Sequence, residues 1–136
     1  MQVQPYLFFN GHADEALAFY KKAIGAEVKM LMRFKDAPDK SMLSPGSEDK
    51  VMHGAFQVGE TTILISDGRN TGQLKFDGFA LTIEAKDEAD ANKMFSALAD
   101  GGQVMMPLTK TFFSPSFGML ADKFGVNWWI LVPQRS

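Results

Sequence analysis

The sequence predicts an α+β fold built from two modules, each in the order strand, helix and three strands. Three observations carry this. Apolar residues switch from strand-like runs to helical spacing and back twice along the chain. Both helical stretches stop at glycine. Phe19 and Gly25 in the first half are answered by Phe95 and Gly101 in the second, six residues apart in both cases, a faint match between modules of about 65 residues each. A chain of 136 residues is long enough to bury a core and too short for two independent domains. It is therefore expected to be a single domain over 1–136, with module 1 at about 1–70 and module 2 at about 76–136.

Val3 to Phe9 is an apolar run that stops at Asn10-Gly11, a turn-favouring pair, and is expected to be a strand. Ala16, Leu17, Phe19, Tyr20, Ala23 and Ile24 then recur at helical spacing, with Asp14 and Glu15 in the first turn and Lys21 and Lys22 in the last. Ala26 to Phe34 reads as a second strand. Lys35 to Lys50, with two prolines, a glycine and many polar residues, reads as a long loop of unassigned role. Val51 to Val58 and Thr61 to Ser66 form two strands around Gly59-Glu60, and Arg69 to Lys75 is a connector. In the second half Phe79 to Ala85 is a strand and Asp87 to Ala99 a helix ended by Gly101-Gly102. Gln103 to Met106, Ser116 to Asp122 and Val126 to Val132 are three further strands.

Composition excludes several function classes. There is no cysteine, which removes disulfides, thiolate metal sites and cysteine nucleophiles. The net charge of -2 comes from dispersed residues without a basic stripe, so no nucleic-acid partner is expected. The N-terminus lacks the pattern of a leader, and no apolar stretch approaches the roughly 20 residues that span a bilayer. A cytoplasmic location with no membrane partner is the expectation.

Single residues give few leads. His53 lies in a strand and is of the type that titrates near neutrality, but no carboxylate neighbours it in sequence. His12 precedes the first helix, where exposure or capping is expected. Asp67 precedes Gly68, either shaping a turn or facing a site. Asp122 precedes Lys123-Phe124-Gly125 as a turn former. Ser44, Ser114 and Ser116 lack the Gly-x-Ser-x-Gly elbow of a serine hydrolase.

Four ordered blocks are more specific: PYLFFNGHADEALAFYKKAIG (Pro5 to Gly25), VMHGAFQVGETTILISD (Val51 to Asp67), LADGGQVMMPL (Leu98 to Leu108) and FGMLADKFGVNWWI (Phe117 to Ile130). Over nearly the whole chain they resemble the PhnB-like branch of the glyoxalase and bleomycin-resistance (vicinal oxygen chelate) superfamily. Phe112-Phe113-Ser114-Pro115 departs from the Trp-bearing turn of many relatives. The resemblance implies two βαβββ modules whose curled mixed sheets surround a cleft, commonly completed in a homodimer. In metal-dependent members of the superfamily the first and last strands of each module supply His, Gln or Glu ligands. Transferred by spacing, those positions are Pro5, Leu64, Ala80 and Trp129 or Ile130, none with a side chain that binds a divalent cation. Neither a metal nor another cofactor is expected.

By strand alternation from these positions, Pro5, Leu7, Phe9, Leu64, Ser66, Ala80, Thr82 and Trp129 are expected to line the cleft, with Glu84 on the same parity. Such a lining, mainly apolar with a few hydroxyls, suits a small apolar or aromatic ligand. A metal-independent binding domain is the first functional reading. The alternative is a lyase or isomerase using a non-standard metal or an acid–base site, for which His53, Glu84 and Asp67 are the candidates. A third possibility is the ubiquinone-pathway methyltransferase label often attached to this branch. The turn Asn10-Gly11-His12-Ala13 lacks the Gly-rich signature expected of an S-adenosylmethionine site.

Overall fold

The computed structural model describes residues 1–38, 46–68 and 75–134, and the chain divides into two compact units, Met1–Leu74 and Lys75–Ser136. The first contains β1 (Tyr6–Phe8), α1 (Ala13–Ile24), β2 (Glu27–Arg33), a single 3-10 turn at Phe34–Asp36, β3 (Val51–Val58) and β4 (Thr61–Ser66). The second contains β5 (Leu81–Glu84), α2 (Glu88–Ala99), β6 (Gln103–Thr109), β7 (Phe117–Ala121) and β8 (Asn127–Leu131). Each unit is a four-stranded mixed sheet carrying one helix, in the strand orders β1-β4-β3-β2 and β5-β8-β7-β6. The α+β fold with two βαβββ modules is the observed one.

The two sheets use the same pairing. β1 runs parallel to β4 with Tyr6 beside Leu64 and Leu7 beside Ile65, and β5 runs parallel to β8 with Thr82 beside Trp129 and Ile83 beside Ile130. Gly54 faces Ile65 in the first sheet as Gly118 faces Ile130 in the second. The repeat has no single spacing. The offset that carries Tyr6 onto Thr82 and Gly25 onto Gly101 shortens after β2, because the long segment between β2 and β3 has only a short counterpart between β6 and β7.

α1 forms because its apolar stripe is continuous: Ala13, Ala16, Leu17, Tyr20 and Ala23 are buried on the side facing the sheet. Tyr20 stacks on Phe56 of β3 at 5.7 Å between ring centroids and meets Phe9 edge-on at 6.3 Å. Burying each large side chain of this kind stabilises the fold by roughly 1.5–3 kcal/mol. The helix ends at Gly25 in the left-handed region (φ 69°), where its N–H returns to the Lys21 carbonyl. α2 is started by Asp87, whose side chain accepts from the Asp90 N–H at 2.8 Å. Its Phe95 lies on the sheet at Gly118, where a Cβ would come within 2.7 Å of the phenyl ring. Asp87 therefore stands outside the helix as its cap.

Some expected boundaries move. The first strand is shorter than Val3 to Phe9, since Leu64 N–H still reaches the Pro5 carbonyl but regular pairing starts at Tyr6. β6 continues to Thr109 through Pro107, tolerated because β6 is an edge strand with one free side. The expected loop from Lys35 begins with the 3-10 turn and closes back on itself through Phe34 N–H to Lys50 O and Lys35 N–H to Glu48 O. Residues 39–45 of that loop, with Ser44, lie outside the described residues, as do 69–74 of the Arg69 to Lys75 connector.

The first unit is tied by one buried carboxylate. Asp67, just after β4, accepts from Gly11 N–H at 2.7 Å, Ala13 N–H at 3.1 Å and Val51 N–H at 3.1 Å. The end of β4, the β1–α1 turn and the start of β3 therefore meet on a single side chain. His12, at the N-cap position of α1, makes no capping hydrogen bond, because Asp67 reaches that terminus from elsewhere in the chain. Asp67→Ala would leave three amides without their acceptor. It is expected to lower unfolding free energy by about 3 kcal/mol or more in urea denaturation. A loss below about 1 kcal/mol would mean that water replaces the carboxylate at little cost.

Candidate functional site

The helix covers one face of each sheet; the other face carries the candidate site. In the first unit that open face bears Tyr6 and Phe8 from β1, Leu64 from β4, His53 and Ala55 from β3, and Met30 and Met32 from β2. The Tyr6 hydroxyl lies 2.7 Å from Nδ1 of His53. Tyr6 reaches across β4 to make that contact, and its ring stacks on Phe8 at 4.7 Å with only 3° between planes. Ser66, beside Phe8, is small and buried. Its hydroxyl donates to the Met52 carbonyl at 2.7 Å and accepts from Gly68 N–H at 2.8 Å.

The second unit presents a more apolar face. Thr82 and Glu84 of β5, Trp129 and Leu131 of β8, and Phe117 and Met119 of β7 share it. Trp129 is 42% exposed and meets Phe117 edge-on at 5.5 Å, and Phe113 also meets Phe117 edge-on, at 5.0 Å. The adjacent Trp128 is buried on the helix side, where its indole N–H donates to Asp122 at 2.9 Å. Asp122 also accepts from the Phe124 and Val126 amides, which fixes the turn into β8.

The expected cleft residues fall into two groups. Leu64, Ser66, Thr82 and Trp129 lie on the open faces of their sheets, with Ala80 just before β5 on the parity of Thr82. Leu7 and Phe9 do not. Both are buried under α1, at 1% and 0% exposure, and Leu7 pairs with Ile65 rather than Leu64, so the face assigned to β1 is corrected by one residue. Tyr6 and Phe8 take the open-face positions instead. Strand alternation could not reveal them, because Tyr6 to Phe9 is apolar at every position; the register against β4 decides it.

Of the residues singled out for acid–base chemistry, His53 stands on the open face paired with Tyr6, and Glu84 is exposed on the open face of the other sheet. Asp67 is buried, with both oxygens engaged by backbone amides. Asp14, at the start of α1, is held below the ordinary carboxylate range chiefly by its hydrogen bond from the Arg33 guanidinium, at 2.9 Å, which makes it a partner in a structural ion pair. In the second unit a surface cavity of about 400 Å³ lies near the α2 N-terminus, between Lys86, Asp87, Lys110, Thr111 and Val132. Its walls mix both charge signs and include none of the open-face aromatics named above.

Two groups associated with such folds do not suit these residues. With the β1 position corrected from Pro5 to Tyr6, the side chains of Tyr6, Leu64, Ala80 and Trp129 offer no imidazole or carboxylate donor to a divalent cation, and among the described residues no three His, Asp or Glu side chains converge. The β1–α1 turn, where a nucleotide-like cofactor would meet a helix N-terminus, is filled by the Asp67 carboxylate and crossed by Lys50, whose Nζ donates to the Gly11 carbonyl at 3.0 Å.

The comparisons with known proteins agree with this architecture. The model of a family described as 3-demethylubiquinone-9 3-methyltransferase matches residues 1–131. Protein PA1353 from Pseudomonas aeruginosa superposes with a TM-score of 0.86 at 34% identity, covering 99% of each chain. A putative 3-demethylubiquinone-9 3-methyltransferase, PhnB protein, from Bacillus cereus superposes with a TM-score of 0.81 at 28% identity, covering 97% of this chain and 99% of that one. A glyoxalase/bleomycin resistance protein/dioxygenase family enzyme from Burkholderia phytofirmans shares the fold, with a TM-score of 0.60 at 15% identity over 97% of this chain and 96% of its own.

The two tryptophans give the opposite faces of β8 separate readouts. Trp128→Phe is expected to lower stability by roughly 1 kcal/mol or more while leaving an emission that acrylamide quenches readily. Trp129→Phe should leave a shielded emission and a nearly unchanged melting temperature. The reverse pattern would shift the register of β8 by one residue.

Proposed function

The chain belongs to the family described as 3-demethylubiquinone-9 3-methyltransferase, the PhnB-like branch of the glyoxalase and bleomycin-resistance superfamily, and we propose that it is a metal-independent binding domain for a small planar molecule. The observation that carries this reading is the chemistry of the open sheet faces. Positions that would hold a metal carry Leu64 and Trp129, and the side chains around them are aromatic rings, methionines and a few hydroxyls. Apolar surface of this kind supplies affinity by area, at about 25 cal/mol per Å², and a few polar groups then fix orientation. The proposed lining on the first unit's open face is Leu64 and Ser66, joined by Tyr6 and Phe8, and on the second unit's open face Ala80, Thr82 and Trp129.

The methyltransferase description is a family name, and the β1–α1 turn gives it no support in this chain. Among the described residues no helix is long and apolar enough to cross a membrane. A cytoplasmic location is part of the proposal.

Chelator-treated protein is expected to bind nitrobenzene, with quenching of the Trp129 emission that disappears in Trp129→Phe. Binding that requires added Zn or Ni would sink the proposal.

The reading includes a homodimer. β2 and β6 are edge strands with Val28, Met30, Leu31 and Met32 on one and Val104 and Met105 on the other all more than a third exposed. Edges this apolar need covering. Light scattering at micromolar concentration should give twice 15.0 kDa, and Leu31→Lys should shift the mass toward the monomer. A wild-type mass of 15.0 kDa would contradict the dimer.

A further inference from the structure

We infer that the open face of the first unit holds a soft monovalent metal ion, Cu(I), between the His53 imidazole and the thioethers of Met30 and Met32. The planar-ligand reading needs no metal, so this site is a second property of the face and is tested separately from it.

The direction of the imidazole carries the argument. β3 lies between β4 and β2, and Tyr6 reaches Nδ1 of His53 from the β4 side at 2.7 Å. The two ring nitrogens face nearly opposite ways, which turns Nε2 toward β2. There the cross-strand partner of His53 is Met32, and Met30, opposite Ala55, stands two residues away on the same face. Both methionines are more than a third exposed, so neither is spent on filling the core. Among the described residues the contact with Tyr6 is the one hydrogen bond of the His53 ring, which leaves Nε2 open.

The donors select the ion. One imidazole nitrogen and two thioethers make a neutral, polarizable set, and thioethers favour Cu(I) where carboxylates favour Mg, Ca or Mn. The set includes no carboxylate. Glu27, further along β2, is engaged by Lys29 at 2.8 Å. These donors also stand on the two middle strands of the module, β2 and β3, apart from the β1 and β4 positions at Tyr6 and Leu64. Tyr6 acts from behind: when Nδ1–H donates to its oxygen, Nε2 keeps its lone pair for the ion and the ring is held in orientation. The second unit lacks the imidazole, because Phe117 occupies the position that corresponds to His53. One ion per chain is the consequence.

The test is anaerobic titration of the full chain, carrying methyl-labelled methionine, with Cu(I) supplied as its complex with the chromophoric chelator bicinchoninate. The expected result is transfer of one Cu(I) per chain, with shifts of two methyl resonances that are missing from the spectra of Met30→Leu and Met32→Leu. His53→Phe should abolish the transfer, and Tyr6→Phe, which keeps the ring stacked on Phe8, should weaken it about ten-fold. Met105→Leu, at an exposed methionine of the other unit, should change nothing, and melting curves confirm that the variants fold. Copper left wholly with the chelator, or transfer that survives both His53→Phe and Met32→Leu, would overturn the inference while leaving the nitrobenzene result untouched. Displacement of the bound Cu(I) by an equal concentration of Zn would overturn it as well.

Discussion

The first unit depends on the Asp67 carboxylate more than on any other single group. A βα turn, a strand start and a strand end each leave backbone amides that the sheet ladder and helix do not satisfy, and burying them unpaired would cost several kcal/mol together. Asp67 satisfies Gly11, Ala13 and Val51 at once. Its consequence for function is negative as well as structural. The α1 N-terminus, the natural place in the unit for a phosphate or carboxylate ligand, already holds an anion of the protein's own. The opposite sheet face carries rings and thioethers instead, and it is the face to which the proposed binding is assigned.

The second unit meets the same constraint with different residues, and the difference explains how the faces diverge. Val132 follows β8 where Asp67 follows β4, and its N–H pairs with Ser116 O much as Asp67 N–H pairs with Val51 O. The carboxylate's work is divided between Ser114, whose hydroxyl accepts from the Ser116 N–H, and Asp122, which accepts from the Phe124 and Val126 amides and fixes the β7–β8 turn and Trp128. On the open faces, Tyr6 and Leu64 of the first unit correspond to Thr82 and Trp129 of the second. His53, before Gly54, corresponds to Phe117, before Gly118. The first sheet carries a polar couple at Tyr6 and His53, and the second an edge-on aromatic pair at Phe117 and Trp129.

Much of this was legible in the residues, for identifiable reasons. α1 declares itself through its stripe, its charged ends and Gly25, and β3 and β4 through the Gly59-Glu60 turn, so their limits as read from the sequence and as observed agree. β1 was legible as a strand but not in its facing. With Tyr6, Leu7, Phe8 and Phe9 all apolar, no alternation tells the helix side from the open side, and a one-residue error exchanges every side chain. The Tyr6–His53 contact was hidden for the same reason, and because it joins residues on strands that are not neighbours in the sheet. Likewise, Asp67 could be read as a turn former but not as the cap of a distant helix, since that pairing spans more than fifty residues.

The positions that hold metal in related chemistry also bear on what kind of recognition the open faces can support. A divalent cation selects ligands by charge and lone pairs, and it tolerates a wet, open surface because its bonds are strong. Leu64 and Trp129 in those places supply neither; they attract by surface area, without direction. A ligand held only by such contacts would slide across the sheet, since dispersion and apolar burial change little with a shift of an ångström or two. Orientation must then come from the few polar atoms nearby. On the first sheet these are the Tyr6 hydroxyl and the His53 imidazole, already aligned by their mutual 2.7 Å contact. On the second they are Thr82 and Glu84, at the edge of the aromatic patch rather than joined to one another. Pre-alignment lowers the entropy lost when a ligand docks, so for the proposed binding domain the first sheet is the face whose polar atoms would orient a ligand at the smaller cost.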